Sequence, residues 1–320
     1  MVPEGVSVAR RLAVLCGPTA VGKTAVAVVL AESLRAEIIC ADSRTIYRGM
    51  DIGTAKPTPE ERQRVPHHLL DLADPVDVFT LADYQRAGRV VLDGIWARGR
   101  LPLIVGGSGL YIRALVDDLA IPAVAPDPVL RAALEADERR QGRGHLHARL
   151  AALDPVAASR IHPHNTRRVI RALEVTLRTG QPISAQQRRR GPVGPVAIVG
   201  LTMERAALHG RIEARIREQL NAGLADEVRR LRASGVPATA PAMQGLGYKE
   251  MAGWLAGDYG YDDAVRRLER NTRHYAKRQL TWFRRDPRIV WVDATRLDRD
   301  TLTARVRAIM DAEFSRQGRE

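Results

Sequence analysis

Apolar positions along the chain fall into two kinds of run. Short unbroken runs ending in Gly, Asp or Ser recur at LAVLCG (12–17), EIICADS (37–43), LPLIVGGSG (101–109), VAIVGL (196–201) and RIVWVDA (288–294). Runs of this length, bounded by turn residues, predict strands buried on both faces of a parallel sheet. Between them lie helical stretches such as KTAVAVVLAESLRA (23–36) and LADYQRAGRVVLDGIWARG (81–99). Strand and helix in alternation predict an α/β fold: a parallel sheet flanked by helices on both faces.

The alternation stops near residue 120. From there to about residue 192 the chain has several helical segments and no convincing strand; DPVLRAAL (127–134) opens on an Asp N-cap followed by Pro. TGQPISAQQRRRGPVGP (179–195) is a polar, Pro- and Gly-rich connector back to the sheet. The expected organisation is a first part of the core over 1–119, a helical insertion over 120–192, and the rest of the core with a basic helical part over 193–320.

In that last part, DDAVRRLERNTRHYAKRQLTWFRRD (262–286) places Leu268, Tyr275 and Trp282 seven apart, on one helix face. Around them lie Arg266, Arg267, Arg270, Arg273, Lys277, Arg278, Arg284 and Arg285. A solvated helix mixes charge signs along its polar face, so this one points to a phosphate backbone. Trp282 and Phe283 read as core residues before they read as stacking platforms.

Composition sharpens this. Lys and Arg number 50 against 37 Asp and Glu, a formal net charge of +13 over 320 residues. Such an excess suggests a polyanionic partner, nucleic acid ahead of an anionic membrane, although an Arg-rich composition alone would also produce it. The two cysteines, Cys16 and Cys40, sit in strand-like runs and read as small buried hydrophobes; a Cys-rich zinc site is excluded. The N-terminal apolar run is too short for a signal peptide, and no stretch of about 18 apolar residues predicts a membrane span. A soluble cytoplasmic protein is expected, and a monomer.

The chemistry begins at GPTAVGKT (17–24). Gly17, then Pro18, Thr19, Ala20 and Val21, then Gly22-Lys23-Thr24, is the Walker A spacing between a strand and a helix, which predicts a P-loop-type parallel sheet flanked by helices. Glycines let backbone N–H groups converge on phosphate oxygens, and the helix N-terminus adds its dipole. Lys23 would bridge phosphates and Thr24 would ligate Mg²⁺. The spacing specifies a diphosphate or triphosphate and says nothing of the rest of the ligand. LPLIV ends in GGSG with no acid, whereas EIICADS ends in Asp42, a metal ligand or a base. Arg211 and Arg215, four apart, share a helix face and could add a fork for the phosphates. His67 and His68 read as structural, and His162 and His164 as loop residues.

Seven further segments occur in order: ADSRTIYRGMDIGTAKP (41–57), PHHLLD (66–71), FTLADYQ (79–85), GGSGLYI (106–112), RRVIRALEV (167–175), LGYKEM (246–251) and AKRQLTWFRRD (276–286). With GPTAVGKT they resemble the bacterial tRNA dimethylallyltransferases, or tRNA isopentenyltransferases, from about residue 12 to about residue 292. The resemblance implies transfer of a dimethylallyl group from dimethylallyl diphosphate to N6 of the adenine 3′ of the anticodon. The glycine loop would then hold the diphosphate, with Mg²⁺ as cofactor. Asp42 matches the family's general base. Ser108 stands where the family often has Thr and could bond the bridging oxygen or the adenine.

Segments matching tRNA contacts are Asp42, Ser43, Arg44 and Thr45; Arg167, Arg168, Val169, Ile170 and Arg171; Gln244, Gly245, Leu246, Gly247, Tyr248 and Lys249; and Lys277, Arg278, Gln279, Trp282 and Arg284. Arg131 matches a further contact. Gln244 and the backbone of Gly245-Leu246-Gly247 could read base edges, while Lys249, Lys277, Arg278 and Arg284 would hold phosphates. No zinc-finger extension follows WFRRD. The alternatives are a P-loop kinase, an adenylate isopentenyltransferase acting on free AMP, and a non-enzymatic RNA-binding protein; the basic helical part argues against a small acceptor and the intact Gly22-Lys23-Thr24 against a decayed loop.

Overall fold

The computed structural model describes residues 10–187 and 191–318; the segment before Arg10 and positions 188–190 of the connector lie outside the described residues. The chain forms two compact units, Met1–Val116 with Pro192–Glu320, and Asp117–Gly191.

The first unit opens with β1 (Leu12–Cys16), α1 (Lys23–Leu34), β2 (Ala36–Ala41), α2 (Pro59–Arg64), β3 (His67–His68), α3 (Leu81–Ala97), β4 (Leu101–Gly106) and α4 (Gly109–Val116). The second unit holds α5 (Pro128–Gln141), α6 (His145–Leu153), α7 (Pro155–Arg160), α8 (Thr166–Thr179) and α9 (Ile183–Gln186). The chain then returns to the first with β5 (Val196–Thr202), α10 (Arg205–Asn221), α11 (Leu224–Ala233), α12 (Tyr248–Leu255), α13 (Tyr261–Phe283), β6 (Val290–Asp293) and α14 (Arg299–Gln317).

The strands pair in the order β3-β2-β4-β1-β5-β6, all parallel. Five of them fall on the predicted runs. The sixth, β3, is two half-buried histidines beside Ile38 and Ile39, too short and too polar to read as a strand. Period-two alternation sorts the sheet's side chains into two cores. Ala13, Leu15, Ile38, Cys40, Leu103 and Val199 face one way with residues of α1, α10 and α14. Leu12, Val14, Cys16, Ile39, Ile104 and Ile198 face the other, with residues of α3 and α4 and with Phe283. Both cysteines are buried and free; burial pushes each thiol up to about 12, so neither is a nucleophile near neutral pH.

Register positions the chemistry. Cys16 pairs with Gly106 and with Gly200, and Ala41 pairs with Gly106. The carboxyl ends of β1, β2 and β4 are therefore level, and the loops that follow them leave one edge together. Ligands of open parallel sheets bind at that edge.

The second unit has its own core, built on Leu134, Leu146, Leu150 and the inner stripe of α8. Val169 and Ile170, expected among the tRNA contacts, lie in that stripe and are 1% and 4% exposed. The correction is physical: an amphipathic helix must bury its apolar side, so these two side chains pack inward.

Candidate active site at the carboxyl edge of the sheet

The glycine loop leaves β1 by a turn that only glycine makes cheaply. Gly17 has φ 145°, and a Cβ there would stand 2.6 Å from the Leu201 carbonyl oxygen. Gly22 caps α1 at φ 101°, where a Cβ would approach Arg211 Nη1 to 3.2 Å. Lys23 Nζ reaches back to donate to Gly17 O at 3.0 Å and Pro18 O at 2.7 Å. Burial, and then the neighbouring Arg215 charge, pull its pKa down to about 8. Arg211 Nη1 donates to Val21 O at 3.3 Å, which ties α10 to the loop. Arg215, one turn further, is held below its ordinary pKa by burial, and Asp42 opposes that shift.

Asp42 follows β2. Its Oδ1 accepts from Arg44 N at 2.8 Å, an Asx turn that orients the carboxylate. Thr45 Oγ1 donates to Asp42 O at 3.3 Å. Ser108, after β4, donates its backbone N–H to Ala41 O, and its Oγ accepts from Ser43 N at 3.1 Å. The two loops are thereby laced together, with Asp42 and Ser108 side by side.

Two cavities meet here. One is lined by Lys23 and Thr24 of the glycine loop with Ile38, Cys40, Val105 and Ala27, a polar, cationic rim over an apolar floor. The other is lined by Arg44, Gln244, Lys249, Tyr275 and Arg278. Thr19, Asp42, Thr54 and Arg215 line both.

Several expected contacts gather around the second cavity. Arg44 Nη1 donates to Pro241 O at 2.5 Å, and Gln244 Nε2 to Ala238 O at 2.8 Å. Gly245 and Leu246 line its wall. Gly247, at φ 87°, caps α12, its N–H held by Glu250. Lys277 and Arg284 are exposed on α13 and just beyond it. Trp282 is half-buried, with its ring against Gly109. In the second unit Arg167 and Arg168 are exposed at the start of α8.

Other expected contacts are spent inside the protein. Tyr248 is 1% exposed and donates to Glu227 Oε1 at 2.5 Å. Gln279 is 6% exposed and bonded at both ends of its amide. Arg131 makes a two-pronged pair with the fully buried Glu174, which also accepts from Arg171 Nη1 at 2.6 Å. The two arginines hold the Glu174 carboxyl at about 2 against the burial that opposes it. A buried carboxylate needs such partners, so these arginines stabilise the second unit first. The α13 face is also less bare than its sequence: Arg266 pairs with Asp263, Arg273 with Glu213 and Glu269, and Arg267 lies over Tyr259.

Two residues beside the site escaped sequence reasoning. Tyr275 lines the second cavity; burial pushes its phenol up to about 12, the Asp42 charge adds to this, and the Ser108 hydroxyl opposes it. Its seven-residue spacing from Leu268 and Trp282 was the available signal. Glu227 accepts from Asp51 N, Ile52 N and Gly53 N, pinning the loop that walls both cavities. A lone Glu in an ordinary helix gives no such signal.

A Walker A loop at the carboxyl edge of a parallel α/β sheet, its cavity joined through Asp42 to a basic one, defines a P-loop protein. A family model described as IPP transferase matches residues 45–286. A tRNA dimethylallyltransferase of Thermomicrobium roseum is 49% identical over 281 residues, 88% of this chain and 85% of the relative. The solved tRNA isopentenylpyrophosphate transferase of Bacillus halodurans is 41% identical at TM-score 0.74, covering 97% of this chain and 98% of that one. A eukaryotic dimethylallyltransferase caught acting on tRNA is 26% identical at TM-score 0.80, covering 96% of this chain and 79% of its own. The chain belongs to the IPP transferase family.

Proposed function

We propose that this protein transfers the dimethylallyl group of dimethylallyl diphosphate to N6 of the adenine at tRNA position 37, 3′ of the anticodon, releasing diphosphate. The observation that carries this is the place of Asp42, the one carboxylate among the described residues that lines both the phosphate-loop cavity and the basic cavity. The names of the family relatives support tRNA, rather than free AMP or a kinase substrate, as the acceptor.

In this reading the bond from C1 of the prenyl group to the bridging oxygen breaks, and the bond from C1 to N6 forms. Charge develops on the leaving diphosphate, and the loop amides of residues 20 to 24, Lys23 and Arg215 face it. Arg211, bonded to the loop backbone, reinforces that wall. Asp42 accepts the N6 proton, since an exocyclic amine is a weak nucleophile until it loses one. Ser108, beside it, bonds the bridging oxygen or the adenine. The exposed Thr24 hydroxyl lines the same cavity as Lys23 and Asp42. A hydroxyl, phosphate oxygens and water make a donor set that suits Mg²⁺, which rarely needs an all-protein cage. Bound at Thr24, Mg²⁺ would neutralise charge on the diphosphate.

The adenine leaves its stack to enter the basic cavity, as bases of single-stranded loops do readily. Lys249, Arg278, Lys277, Arg284 and Arg44 then hold the anticodon-loop backbone, and Arg167 and Arg168 supply further positive charge on the second unit. A tRNA substrate makes the cytoplasm the place of work. Among the described residues no helix is long and apolar enough to cross a membrane.

The test combines purified protein, Mg²⁺, labelled dimethylallyl diphosphate and unmodified tRNA reading U-starting codons, with AMP and ATP in parallel reactions. The expected product is isopentenyladenosine in tRNA, with no ATP turnover. Prenylated AMP, or ATP hydrolysis without prenyl transfer, would overturn the assignment.

A further inference from the structure

Gln279 sits in an arginine-rich helix, between Arg278 and Leu280, yet it is only 6% exposed. Its Oε1 accepts from Thr19 N, in the phosphate loop, at 2.9 Å. Its Nε2 donates to Gly107 O, next to Ser108, at 3.0 Å. The two partners, one donor and one acceptor, fix which way the amide faces; the reverse orientation would set like against like at both ends.

The neighbouring glycines belong to the same device. A Cβ on Gly107 would stand 2.1 Å from Gln279 Nε2, and a Cβ on Gly109 would stand 2.1 Å from the Trp282 ring. Gln279 and Trp282 are three apart, so they present to one side of α13. The helix presses on both glycines that flank Ser108, and Ser108 in turn holds Ser43 N beside Asp42. Gln279 also lines the phosphate-loop cavity.

We propose that Gln279 is a positioning residue: a buried amide that fixes the separation between the phosphate loop at Thr19 and the Ser108–Asp42 wall. It spends its hydrogen bonds on the protein and makes none to tRNA. The proposal rests on the transfer reaction proposed above. A near-attack geometry is sensitive to such a separation, and a misplacement of about 1 Å costs roughly 10²-fold in rate.

The experiment compares wild type with Gln279→Glu, Gln279→Met and Gly107→Ala. For each, kcat, KM for dimethylallyl diphosphate and Kd for tRNA are measured between pH 5 and pH 8. At pH 8 all three variants should lose about 10²-fold in kcat while tRNA Kd stays within about twofold. Gln279→Glu should then recover relative to wild type as pH falls. Its protonated carboxyl can again accept from Thr19 N and donate to Gly107 O, whereas the carboxylate repels that carbonyl. Gln279→Met has no proton to regain and should stay impaired, and Gly107→Ala displaces the same amide without altering it.

A tRNA Kd weakened about tenfold with kcat preserved would make Gln279 a substrate contact and overturn the proposal. Full kcat in Gln279→Met, or no acid recovery in Gln279→Glu, would overturn it equally. Wild-type transfer is the control that separates the two readings. Its absence refutes the reaction and the positioning role together, whereas transfer by unimpaired variants refutes the positioning role alone.

Discussion

Ser108 Oγ accepts a hydrogen bond from Ser43 N at 3.1 Å, joining the loop after β4 to the loop that carries Asp42. A hydroxyl that accepts here still has its own proton to give. In the proposed reaction that proton faces the bridging oxygen or the adenine. Ser108→Ala removes both bonds, and kcat should fall about 10- to 10²-fold with donor KM nearly unchanged. Ser108→Thr keeps the hydroxyl and should stay within a few-fold of wild type. A Thr variant as slow as the Ala variant would show that packing, and not the hydroxyl, matters.

Lys23 titrates near the working range because burial and Arg215 pull its pKa down to about 8. The charged form binds phosphate, so donor affinity should be full below pH 8 and decline as pH rises through about 8. Bound diphosphate favours the ammonium, which moves the midpoint upward in the complex. The readout is KM for dimethylallyl diphosphate between pH 6.5 and 9.5. The alkaline rise should disappear in Lys23→Met, whose KM is high throughout. An unchanged alkaline rise in that variant would assign the titration to another group.

The cations of α13 should not contribute equally to tRNA binding. Arg273 is committed to Glu213 and Glu269, whereas Lys277 projects from an exposed position. Replacing Lys277 or Arg284 by Ala should reduce the slope of log affinity against log salt by about 1 each. Arg273→Ala should leave that slope alone. Titrations of tRNA between about 50 and 200 mM salt decide this, and equal slopes for all three variants would refute the assignment.

Much of the site was legible because its logic is local. The glycine loop follows a buried strand and opens a helix, so GPTAVGKT carries its own context, and Asp42 and Ser108 stand where two predicted strands end. What stayed hidden depends on distant partners. A Gln within an arginine-rich helix reads as a surface residue until the fold brings Thr19 and Gly107 to it. Arg131 and Glu174 are 43 positions apart, and no periodicity links them. Val169 and Ile170 were apolar at helical spacing, so their burial was legible in the residues themselves; the resemblance marked the whole RRVIR segment and so included them. The two-residue strand β3 owes its place to Ile38 and Ile39 rather than to any strand signal of its own.

Asp42 is the point at which both substrates are proposed to meet, so its substitution tests the account most directly. Asp42→Asn keeps the size of the side chain and an oxygen to accept from Arg44 N. The measurement is single-turnover prenyl transfer, with tRNA and donor binding determined on the same preparation. The expected result is a rate lowered by about 10²- to 10⁴-fold with both affinities within a few-fold of wild type, since the amide cannot take the N6 proton. A near-normal rate, or a loss confined to donor binding, would contradict the role of Asp42 as the base.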